Sequence, residues 1–186
     1  MRMTLAIVSL AASTAFAQVG QSRTGIQGSP PPVMQAQIAA PPKLSREDED
    51  FVKKAGVANL AEIKFGELAA QKGATPEIRK LANTMVNDHK NVADQLDSIA
   101  SREGITRPKE LEPEQQAVYH RLSALSGAEF DKAYLEQVKN DHEQAISAYQ
   151  DEAQKGANAE LQSFAQSTLP SIRQHHEMIS RPTETM

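Results

Sequence analysis

The sequence predicts an all-α protein, an antiparallel four-helix bundle built from two helical hairpins with a short extra helix between them. Three observations lead there. From Ser45 onward apolar residues recur at three- and four-residue spacing, and no stretch alternates as a strand would. Capping residues, glycines and prolines cut this region into four long segments and one short one. The links within the first pair and within the last pair are only a few residues long, which forces neighbours to run antiparallel.

Taken in order, MRMTLAIVSLAASTAFA (1–17) reads as a secretory leader, with Arg2 as its positive start and Ala15-Phe16-Ala17 as the cleavage site. Residues 18–44, rich in Pro, Gln, Gly and Ser, read as a disordered linker. The bundle is expected over 45–181, followed by a tail over 182–186. Ser45 and Asp48 form a capping box for a helix reaching Lys72, which Gly73 ends. Thr75 caps the second helix, with Pro76 at its first position, and that helix runs to about Glu103. Pro108 and Pro113 mark a connector that carries a short helix over 114–125. Ser126 and Glu129 predict a capping box for the third long helix, which ends near Gly156. Asn158 caps the fourth, which runs to about Ile179 and should kink at Pro170. The turns QKGATPEIRKLA and QKGANAELQSFA match each other, so the two hairpins read as relatives paired about a pseudo-twofold axis, as in ferritin-like bundles.

Bulk properties narrow the function. The chain has 186 residues and a net charge of −4, or −5 once Arg2 leaves with the leader, with basic residues scattered among acidic ones. That is no footprint for nucleic acid. There is no cysteine, hence no disulfide framework and no lipid-attached cysteine. After leader cleavage no segment is long and apolar enough to span a membrane, and an exported, periplasmic location is expected.

Each long helix carries one ionisable residue within its inward stripe. The first reads Phe51, Ala55, Ala58, Glu62, Phe65 and Ala69; the others carry His89, His142 and His175. If both hairpin turns share one end, Glu62 lies roughly 15 Å down, His89 and His142 roughly 20 Å, and His175 roughly 26 Å. His176 is an alternative fourth member. Unpaired burial of such groups is costly. Three arrangements satisfy that constraint or escape it: a single zinc, copper or iron ion held by Glu62, His89, His142 and His175, a metal-free Glu–His network, or a set that does not converge. Asp88 and Asp141 each precede a histidine, and can serve a neighbouring ring N–H or simply face solvent. Met85 with a histidine would also suit haem. Tyr134 and Tyr149 are expected to pack with their hydroxyls at the bundle rim, and His120 to be exposed. The doubled Asn-Asp-His, at 87–89 and 140–142, is read as two related hairpins each placing one histidine in the core. No Ser-His-Asp order, phosphate-cradling glycine loop or aromatic-basic platform occurs, so a non-enzymatic role is favoured.

The segments FVKKAGVANLAEIKFGELAAQKG, MVNDHKNVADQL, FDKAYLEQVKNDHEQAI and STLPSIRQHHEMI, behind a leader and a Pro/Gln-rich spacer, resemble an exported bacterial domain of unknown function often labelled "predicted outer membrane protein". The resemblance covers about residues 47 to 180. It implies a ferritin-like four-helix fold and an exported location, and it supplies no activity. The family's motif positions fall on Glu62, Met85, Asp88, His89, Asp141, His142, Leu169, Pro170 and His175. With neither a barrel pattern nor a lipidation cysteine, any membrane association would be peripheral. A di-iron centre of the ferritin type needs Glu-x-x-His pairs. Val86, Lys139 and Ile172 stand where those glutamates would be. Two functions follow as expectations: a metal-binding bundle that buffers an ion or runs stress-related redox chemistry, or an envelope protein that acts through protein partners with a purely structural His/Glu cluster.

Overall fold

The computed structural model describes residues 44–181. The leader, most of the linker and the tail lie outside the described residues. The described chain is all helical: α1 (Arg46–Lys72), α2 (Pro76–Arg102), α3 (Pro113–Ala124), α4 (Gly127–Lys155) and α5 (Ala159–Ser180). Among these helices none is long and apolar enough to cross a membrane.

Local chemistry sets the helix starts. Ser45 Oγ accepts from the Asp48 amide at 3.0 Å, and Asp48 accepts from the Ser45 amide at 3.3 Å, closing the expected box. Thr75 caps α2 through the Ile78 amide, and Asn158 caps α5 through the Glu160 and Leu161 amides. The box expected at Ser126 does not form. Gly127 follows it with φ +60°, a conformation glycine adopts freely, and that turn leaves the Ser126 hydroxyl without a cap bond. α5 continues through Pro170, whose missing N–H leaves one carbonyl of the preceding turn without its helical donor. Leu44, expected in the linker, is instead buried with Phe51, Val52 and Leu161.

The two hairpin turns do not share an end. The Ala74 amide, in the α1–α2 turn, donates to Asp131 at the start of α4 (2.9 Å). The Ala157 amide, in the α4–α5 turn, donates to Asp48 at the start of α1 (3.0 Å). Each turn is thus tied to the first helix of the other hairpin, and the turns sit at opposite ends of the bundle. The segment containing α3 makes this possible by carrying the chain back along the bundle. α4 therefore starts beside the end of α1 and runs antiparallel to it.

This arrangement overturns the heights expected from a shared end. Measured from the end with the α4–α5 turn, His89 and His142 each lie about 20 Å along, and Glu62 and His175 about 24 Å, a spread below one helical turn. Two apolar clusters flank this level. One holds Phe65, Ile78, Met85, Phe130 and Ile179; the other holds Phe51, Leu96, Tyr149, Leu161 and Phe164. The polar residues form a layer between them.

The doubled Asn-Asp-His also needs correction. The shift that carries Gln71 onto Gln154 carries Ala74 onto Ala157, Asp48 onto Asp131, and Asn59 onto His142. His89 falls onto Ile172. The two tripeptides are therefore unrelated by the pseudo-twofold axis: one lies on the second helix of its hairpin, the other on the first.

Candidate metal centre

His89 from α2, His142 from α4 and His175 from α5 meet in the buried layer. One ring nitrogen from each lies within 4.8 Å of the other two, and all three ring centroids are 5.5 Å apart. The closest approach is His142 Nε2 to His175 Nδ1, at 3.4 Å. That matches the edge of about 3.3 Å expected between two nitrogens on a tetrahedral ion with metal–nitrogen bonds of about 2.0–2.1 Å.

The outward nitrogens fix the tautomers. Asn59 Nδ2 donates to the His89 carbonyl at 2.8 Å, which aims Asn59 Oδ1 at His89 Nδ1, 2.9 Å away. That oxygen can only accept, so His89 carries its proton on Nδ1 and its lone pair on Nε2. His142 Nδ1–H donates to the Val138 carbonyl at 2.7 Å, leaving Nε2 free. His175 Nε2–H donates to Asp88 Oδ2 at 2.9 Å, leaving Nδ1 free. The nitrogens that converge are thus the free ones. Partners that hold the far N–H of a ring in this way orient histidine ligands and raise their basicity.

Electrostatics agree with neutral rings at His89 and His142. Burial pushes His89 well below the usual imidazole range, and repulsion from His142 and His175 adds to it. Burial takes His142 down to about 4, against the raising effect of the Val138 bond. A proton shared between His142 and His175 would satisfy those two atoms alone, because His89 Nε2 has no hydrogen-bond partner. One metal ion would satisfy all three.

Glu62 stands outside this set. Its Oε1 lies 3.6 Å from His142 Nδ1, the nitrogen that faces away from the cluster. Both carboxylate oxygens are buried without partners, and burial followed by the Asp141 charge raises the group well above the carboxylate range. Met85 is fully buried in the neighbouring apolar cluster, and His120 is exposed on α3. His176, the alternative fourth member, points away and bonds Glu143 at 3.2 Å. Tyr134 is fully buried with an unpartnered hydroxyl, not at the rim, because it lies level with Phe130 and Val138 inside the apolar cluster.

Two supporting residues escaped the stripe reading. Ala58, expected inward, is exposed, whereas Asn59 is buried; inward residues at 55, 59 and 62 keep a 4–3 spacing that the sequence permits equally well. Asp88 is half exposed yet holds His175.

No curated protein matches the chain. The crystal structure of a DUF305 fragment from Deinococcus radiodurans is similar to it, with a TM-score of 0.66 at 15% sequence identity over 74% of this chain and 95% of that one. At that identity the likeness is one of helical fold. Residues 33–181 match the family described as Domain of unknown function (DUF4142), and the chain belongs to that family.

Proposed function

We propose that this protein is an exported ferritin-like bundle that holds one transition-metal ion, zinc, copper or iron, in its core and serves to buffer it or to run mononuclear redox chemistry under stress. His89, His142 and His175 are the ligands. Glu62 is the buried carboxyl beside His142, held neutral by burial and placed to lose its proton when an ion adds charge nearby. The observation that carries this reading is the convergence of three ring nitrogens whose protons are already engaged on the outside by Asn59, Val138 and Asp88. A metal-free network leaves inward lone pairs without donors, as at His89 Nε2. The close spacing of the rings also favours an ion over a haem macrocycle. The exported location rests on the leader-like start and on the resemblance to the "predicted outer membrane protein" group.

Elemental analysis of the mature protein, purified from a periplasmic fraction without chelator or affinity metal, tests the reading. The expected result is close to one equivalent of a transition metal, lost in the His89→Leu, His142→Leu double variant. A metal-free protein that also fails to take up zinc, copper or iron on reconstitution would sink it. The histidines would then be a structural network, and the search would turn to envelope protein partners.

A further inference from the structure

Between α1 and α4 runs a cleft of about 1240 Å³ whose lining includes all three histidines and Glu62. The shallower groove between α2 and α5, lined by Arg102, Glu160 and Phe164, reaches none of them. On that side His175 is engaged by Asp88. The lining of the α1–α4 cleft is unbalanced in charge: burial favours the neutral form at two of its nine acidic side chains, Glu62 and Glu152, and the other seven stand against three lysines, Lys53, Lys54 and Lys155. Lys155 is paired with Asp151 at 2.8 Å. Glu47, Asp50, Glu112 and Glu114 are exposed along the cleft, and Asp141 is half-buried nearer the histidines. Its floor holds two polar groups that lack any partner, the Glu62 carboxyl, 4% exposed, and His89 Nε2, on a residue 9% exposed.

We infer that this cleft is the route by which a divalent cation reaches the histidines, and that its carboxylates accelerate capture by focusing the field along it. The inference rests on the metal-binding reading. A cleft lined by one sign of charge, with low-dielectric walls, raises the local concentration of counter-ions and their association rate by about 10 to 1,000-fold, an effect that salt suppresses. Here the carboxylates extend from solvent to the buried layer. Glu62, buried beside His142 with its Oε1 3.6 Å from that ring, is the acidic side chain of the lining set nearest the imidazoles.

Stopped-flow mixing with Co²⁺ alone, followed by its visible d–d bands, tests this on the folded protein. A cleft variant combines Glu47→Gln, Asp50→Asn and Glu114→Gln. A control removes the same charge elsewhere, with Glu77→Gln, Asp94→Asn and Glu177→Gln, all exposed on α2 and α5 and absent from the cleft lining. The cleft variant should associate about tenfold more slowly than wild type at low ionic strength, with the gap closing as salt rises toward about 0.5 M. The control should stay within about twofold of wild type. An intact band amplitude at saturation shows that the ligand set survives in each variant. Equal slowing in both variants, or no slowing in either, overturns the route while leaving metal binding in place. Absence of d–d bands in the wild type would instead overturn the metal reading, and the route with it.

Discussion

Asp88 and Asn59 never approach the centre of the histidine cluster as ligands, yet they decide which nitrogens can serve. Asp88 does two things for His175: its oxygen accepts the Nε2 proton, and its charge strengthens the lone pair at Nδ1. The two effects separate by substitution. Asp88→Asn keeps an acceptor and loses the charge, whereas Asp88→Ala loses both. Affinity for Zn²⁺, read by competition with a chromogenic chelator, should fall from wild type to Asp88→Asn to Asp88→Ala, with a total loss of about 10 to 100-fold. Equal affinities in the three proteins would show that Asp88 is a bystander. This part of the site was half legible. The adjacency of Asp88 to His89 drew attention to it, but its partner is His175, on another helix. Nothing in one chain of letters shows which ring a side chain reaches across a bundle. Asn59 is hidden differently: inward Ala58 and inward Asn59 fit the helical period equally well, and alanine is the more usual core residue of the two.

At the scale of the helices, the repeated QKGA turn revealed two related hairpins, and the caps revealed where nearly every helix begins. The turns could not be placed at opposite ends from those signals. That fact depends on where the connector containing α3 lands, and the landing is fixed by the Asp48–Ala157 and Asp131–Ala74 bonds. The Asp48 end carries a built-in strain. Glu152 is buried beside Asp48, and burial, then repulsion and hydrogen bonding from Asp48, push its carboxyl up to about 7. A raised carboxyl favours the folded state only while it is protonated. Its contribution is complete below the unfolded value of about 4.5 and is lost as pH climbs through about 7. Glu152→Gln keeps a neutral, hydrogen-bonding side chain at every pH. Urea unfolding should therefore find this variant more stable than wild type by about 1–2 kcal/mol at pH 8, and near parity at pH 4.5. A stability difference independent of pH would refute the assignment. Asp131→Ala, which strips the acceptor from the Ala74 amide, should cost about 1–3 kcal/mol in the same urea unfolding measurement.

For the molecule as a whole, the polar layer is an interruption between two apolar clusters, and its three clustered histidines are divided between the hairpins. His89 belongs to the first hairpin; His142 and His175 belong to the second. An ion bound there would cross-link the halves at mid-height, where polar side chains separate the two apolar clusters. Because the unfolded chain cannot assemble the three nitrogens, binding must add to folding stability. With free Zn²⁺ at about 100 times its dissociation constant the gain is about 2.7 kcal/mol, or a rise in Tm of about 5–10 °C for a bundle of this size. The His89→Leu, His142→Leu variant should show no such shift. Its metal-free form should unfold at the wild-type temperature or above it, since apolar groups of similar volume often improve on buried polar ones. The two results together distinguish a site from a scaffold. Histidines kept for a ligand leave the empty protein no less stable when they are replaced, whereas histidines kept for structure lower its Tm when removed, whether or not zinc is present.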